Sequence, residues 1–153
     1  MRFIVTLLIF IFSASFRVFS CTNLIAGKLA TVDGSTMITY AADSYGLFGS
    51  LYHYPARTYP PGTMLDIYEW DTGKYLGQIN QVEKTLAVIG NMNENQVSIA
   101  ETTFGGREEL RDTTGIIDYG SLMYIALQRS RSAREAIRIM TSLVEEYGYY
   151  SSG

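Results

Sequence analysis

The order of periodicities along the chain limits its fold more than any other feature. Up to about residue 102 the apolar residues fall in short runs or alternate with polar ones, the period of strands. From residue 118 onward they recur at helical spacing. Strands first and helices afterwards predict an α+β layered domain, not alternating βαβ units.

Residues 22–29 read as a strand, and Asp33-Gly34 between two apolar runs is a strong hairpin signal. Residues 36–42 return, with Met37, Thr39 and Ala41 on one face and Ile38, Tyr40 and Ala42 on the other. Residues 50–54 offer a third strand. Residues 54–64 hold all three prolines and read as a loop. A strand over 65–70 ends at Asp71-Thr72-Gly73. The apolar runs 85–89 and 96–102 flank a polar tip over 90–95, which predicts a second hairpin. A polar loop over 105–114 precedes two helices. Asp118 can cap the first, and its body over 122–127 is apolar nearly all round, as a buried helix is. Ser132 and Glu135 form a capping-box pattern for the second. There Ala133, Ile137, Met140, Val144 and Tyr147 make one stripe, and Gly148 is placed to end it. No internal repeat is present.

Residues 1–20 stand apart from this pattern. Met1-Arg2 gives a positive start, residues 3–12 are apolar except for Thr6, and Ser20 is a small residue before Cys21. These parts read as a secretory signal peptide, 1–20, preceding a mature part, 21–153. A secreted or periplasmic location follows. Arg17 departs from the pattern, and a buried N-terminal element is the competing reading. The apolar run is shorter than the ~20 residues that span a bilayer, and no later run approaches that length.

The formal charge is −3, and two of the arginines lie in the leader. No Lys/Arg cluster interrupts the rest, so no nucleic-acid partner is expected. One Cys and one His exclude an internal disulfide and a structural zinc site, and no cofactor or metal is expected. The single cysteine then sits directly after the expected cut. Two chemistries want it there. One is acylation, which would make a lipoprotein anchored through Cys21. The other is catalysis, because a free α-amine with an ordinary pKa near 7.7–8.0 can take the proton of its own thiol. The two exclude each other, since a lipidated amine is not a base.

The motifs Cys21-Thr22-Asn23-Leu24-Ile25-Ala26-Gly27-Lys28 and Ala30-Thr31-Val32-Asp33-Gly34-Ser35 resemble the C69 dipeptidase family of N-terminal-nucleophile hydrolases. That family is related to the penicillin V acylases and bile salt hydrolases. The resemblance continues through Tyr40-Ala41-Ala42-Asp43-Ser44, residues 67–73, residues 89–94, residues 101–107 and residues 118–136. It implies a four-layer αββα fold of which this chain is the N-terminal part, truncated and expected to be inactive by itself. It implies Cys21 as nucleophile, Asp43 as an acid beside the nucleophile's amine, and Asn93 as an oxyanion-pocket residue. Tyr40 stands where the acylases carry an arginine, so that arginine's contact with the thiolate does not transfer.

Each candidate has a plainer reading. Asp43 can be a strand-end turn residue, and Asn93 a hairpin-tip residue chosen for turn geometry. Glu101 closes an apolar run, an expensive place for a charge unless it is paired or exposed. It can hold a substrate ammonium, or form a structural ion pair with Arg107. His53 reads as a surface or packing residue, and Trp70 as core. The expected function is a cysteine dipeptidase with a dipeptide substrate. The alternatives are an amidase acting on non-peptide amides and the non-catalytic lipoprotein.

Overall fold

The computed structural model describes residues 21–42, 49–102, 106, 107, 109 and 112–151. The expected leader, Asp43 and much of the 105–114 loop lie outside the described residues. The described part is α+β, with short antiparallel strands followed by two helices.

Strands β1 (Thr22–Ala26) and β2 (Met37–Ala41) pair antiparallel, with Thr22 opposite Ala41 and Ala26 opposite Met37. The expected Asp-Gly turn is present. Ser35 N donates to Asp33 Oδ1 at 3.0 Å, and Gly34 takes a φ of 72° that other residues resist. In β2, Ile38 and Tyr40 are half-buried while Met37, Thr39 and Ala41 face out, as the alternation requires.

The proline-containing stretch is less loop-like than expected. It holds β3 (His53–Tyr54) and β4 (Arg57–Thr58), on either side of Pro55. Next come β5 (Met64–Tyr68), β6 (Tyr75–Asn80), β7 (Lys84–Thr85), β8 (Val88–Ile89) and β9 (Met92–Asn93). β5 and β6 form the second long hairpin, β4 pairs with β7, and β3-β8-β9 make a three-stranded sheet. The hairpin expected between residues 85–89 and 96–102 is tighter than the sequence implies. β8 turns directly into β9 through Gly90-Asn91, and the later run contributes one bridge, Ser98 to Met92. Asn93 Oδ1 accepts Asn95 N and Val97 N in the loop after β9.

Helices α1 (Tyr119–Arg129) and α2 (Ala133–Tyr147) close the described part. Two apolar clusters make the core. Ile67 and Ile79 from the β5–β6 hairpin pack with Ile117, Leu122, Ile125 and Leu143. Val88 and Val97 pack with Leu127 and Ala136. Helix α1 serves both clusters, which is why its body is apolar all round. Of the expected stripe of α2, Met140, Val144 and Tyr147 pack against the core, while its first turns face differently. Ala136 and Leu143 are buried, while Ala133 is exposed and Ile137 is 63% exposed. Both caps form as expected: Asp118 accepts from Ser121 N, and Ser132 accepts from Glu135 N. Gly148 ends α2 at a φ of 70°, its N–H on Val144 O.

Candidate active site

Cys21 immediately precedes β1, so the hairpin fixes its position. Its Sγ donates to Glu101 Oε1 at 3.3 Å, across 80 positions of sequence. The same oxygen accepts the Tyr40 hydroxyl at 2.8 Å. The backbone is tied at the same place, because Asn23 Nδ2 donates to Glu101 O at 2.8 Å. Three side chains of the hairpin therefore converge on one residue of the segment after β9. Asn23 Oδ1, the other end of that amide, is buried with no hydrogen-bond partner among the described residues.

The phenol of Tyr40 is pushed well above the ordinary tyrosine value near 10. Burial is the main cause, followed by the hydrogen bond to Glu101 and its charge, then the charges of Cys21 and Asp71. The hydroxyl stays protonated and remains a donor.

A second pair lies within the electrostatic reach of the first. The Tyr119 hydroxyl donates to Asp71 Oδ1 at 2.8 Å. Tyr119 is also raised, by burial first, then by the hydrogen bond and charge of Asp71, then by Glu101 and Tyr40. The pair is built by the residues beside it. Asp118 is buried, 2% exposed, and its Oδ2 accepts Trp70 N at 2.8 Å. That bond pins the end of β5 to the start of α1, so the next residue on each side, Asp71 and Tyr119, meet. Gly120 permits the approach, because a Cβ there would lie 2.6 Å from Trp70 Cγ.

The sequence candidates fare differently. Cys21 and Glu101 are brought together. Asp43 lies outside the described residues. Asn93 is 4% exposed and occupied on both ends of its amide. Its Nδ2 donates to Leu127 O at 2.8 Å and Ser130 O at 2.7 Å, and its Oδ1 accepts Asn95 N and Val97 N, both at 3.0 Å. Both amide hydrogens bind the end of α1, which leaves none for an oxyanion. The reading of Glu101 as an ion-pair partner of Arg107 gives way, since Arg107 pairs with Glu109. His53 is exposed, as expected. Trp70 is not core: it is 46% exposed, edge-on to Tyr52 with ring centroids 6.0 Å apart.

Sequence reading missed Tyr40, Asp71, Tyr119 and Asp118 as site builders. Tyr40 carried one signal, its place on the half-buried face of β2. Asp71 and Tyr119 carried none locally, since they are 48 positions apart. Among the described residues no cluster of His, Cys, Asp and Glu is arranged to hold a metal ion, and no helix is long and apolar enough to cross a membrane.

A thiol, a carboxylate that accepts from it and a protonated phenol thus meet at one oxygen. No solved structure matches the chain. The family model for peptidase family C69 matches residues 47–153, a stretch that contains Glu101, Asp71 and Tyr119. The chain belongs to peptidase family C69.

Proposed function

We propose that this peptidase hydrolyses dipeptides through Cys21, made N-terminal by removal of residues 1–20. The observation that carries the reading is the hydrogen bond from the Cys21 thiol to Glu101. A carboxylate recruited from 80 positions away to orient the chain's single thiol is hard to explain as packing.

Charge supports the reading as well. The charges that raise Tyr40 and Tyr119 belong to Glu101, Asp71 and Cys21 or to the other phenol. The ion pair of Arg107 with Glu109 involves none of these groups. An α-ammonium released at Cys21 would enter an anionic neighbourhood.

The proposed sequence of steps balances without a cofactor. The α-amine of Cys21 takes the thiol proton, and sulfur bonds to the substrate's carbonyl carbon. Backbone N–H groups hold the oxyanion, since the amide hydrogens of Asn93 are engaged elsewhere. The C–N bond breaks as the ammonium returns its proton to the leaving amine. Water then attacks the thioester, the amine again accepting a proton, and releases the free acid and the thiol. The four-layer αββα fold and export through the leader belong to the same proposal.

Mass spectrometry of the secreted protein tests the first step, with Cys21 expected at the N-terminus carrying a free amine. In the full-length protein, Cys21→Ala is expected to cut kcat by about 10⁴-fold or more, as loss of a nucleophile does. Retained dipeptide hydrolysis in that variant, or an acylated Cys21, would sink the mechanism.

A further inference from the structure

The Glu101 oxygen that receives the thiol has a second donor, and the proposed mechanism gives that donor no task. We propose that Tyr40 is a positioning residue for the nucleophile, acting through Glu101: its hydroxyl pins Oε1 where the Cys21 thiol meets it. The inference deepens the cysteine-nucleophile reading above and rests on it for its bearing on catalysis.

A glutamate has several rotatable bonds, and its last torsion is broad and two-fold, so the carboxylate does not choose an orientation by itself. Holding a long side chain in one geometry costs rotamer entropy. A thiol is too weak a donor to impose that order. A phenol at 2.8 Å from a carboxylate oxygen is a strong one. The backbone of Glu101 is fixed separately by Asn23, so Tyr40 supplies what is missing, the direction of the head group.

Tyr40 is itself held rigidly. It lies in the middle of a paired strand, opposite Asn23, on the half-buried face. Cys21, Asn23 and Tyr40 thus belong to one hairpin, and a single register sets all three contacts with Glu101. The raised phenol keeps its proton through the neutral range, so the pin does not open where a terminal amine would work as a base. The titratable groups that bear on it are Glu101, Cys21 and Asp71.

A double-mutant cycle on the processed full-length protein tests this. Tyr40→Phe keeps the ring and removes one oxygen. Glu101→Gln keeps the shape and removes the charge. The readout is the rate of Cys21 alkylation by iodoacetamide across pH, alongside kcat and KM for a dipeptide. Tyr40→Phe is expected to lower kcat about threefold to tenfold, the worth of one such bond, with KM nearly unchanged. Its alkylation profile should move in the same direction as that of Glu101→Gln, and adding it to Glu101→Gln should change nothing further. A profile that stays at wild type, moves the opposite way, or shifts equally in both backgrounds overturns the proposal. Alkylation reads the coupling of Tyr40, Glu101 and Cys21 whatever the substrate is. A coupled profile in a protein whose Cys21→Ala variant still cleaves dipeptides would defeat the nucleophile reading. An uncoupled profile in a protein that needs Cys21 would defeat only the role of Tyr40.

Discussion

At the residue scale, Asn93 and Glu101 show how burial assigns tasks. Asn93 stands in a polar hairpin tip and Glu101 at the end of an apolar run, and both were candidates for the site. Asn93 satisfies two carbonyls at the end of α1 and two N–H groups of its own loop, so its amide works as a structural bracket. Asn93→Ala would strip four backbone groups of their partner in a closed site. Urea unfolding should show a loss of about 2–4 kcal/mol, with the alkylation profile of Cys21 unmoved. Glu101 keeps its carboxylate at the thiol. Glu101→Gln should therefore do the reverse, shifting that profile while leaving the unfolding free energy within about 0.5 kcal/mol of wild type.

At the element scale, the meeting of β5 with α1 decides where Asp71 and Tyr119 stand. Asp118 caps the helix and holds Trp70 N with its second oxygen, so one carboxylate serves both elements. Asp118→Ala should cost about 2–3 kcal/mol, a lost cap plus an orphaned buried N–H. Its checkable signature is the chain's single tryptophan, whose fluorescence should change as Trp70 loosens. Gly120→Ala attacks the same joint by crowding. A Cβ 2.6 Å from Trp70 Cγ forces the indole or the helix to move, at about 1–3 kcal/mol in a denaturant titration.

At the scale of the whole molecule, the tyrosines make the fold sensitive to alkali. Tyr40, Tyr119 and Tyr124 all sit well above the ordinary value, with burial the leading cause in each. A phenol whose folded pKa exceeds its unfolded one holds its proton longer in the native state. The stability it contributes is complete below the unfolded value near 10 and is lost as pH rises from there towards the folded value. Urea midpoints should therefore be level from pH 8 to 9 and fall between pH 10 and 12. Tyr40→Phe should flatten part of that fall. The part of the tyrosine absorbance change that Tyr40, Tyr119 and Tyr124 supply should track unfolding.

What the sequence determined by itself was local. The Asp33-Gly34 turn, the alternation of β2, the caps at Asp118 and Ser132 and the stop at Gly148 depend on neighbours a few positions away, and all are present. The family motifs were legible for the same reason, as contiguous strings. Tertiary structure decided the rest. Residues 75–80 form a strand because β5 lies beside them, though their own pattern is broken by Gly77 and Gln78. Helix α2 turns Ala136 and Leu143 inward because α1 and the β5–β6 hairpin are there to receive them, which its apolar spacing left open. The site itself is the clearest case. Cys21 was conspicuous as a lone thiol, but the carboxylate it meets lies 80 positions away, and the phenol sharing that carboxylate lies 61 positions from it. Hydrogen bonds at that separation exist only after hairpin and core have packed, so no short-range pattern announces them.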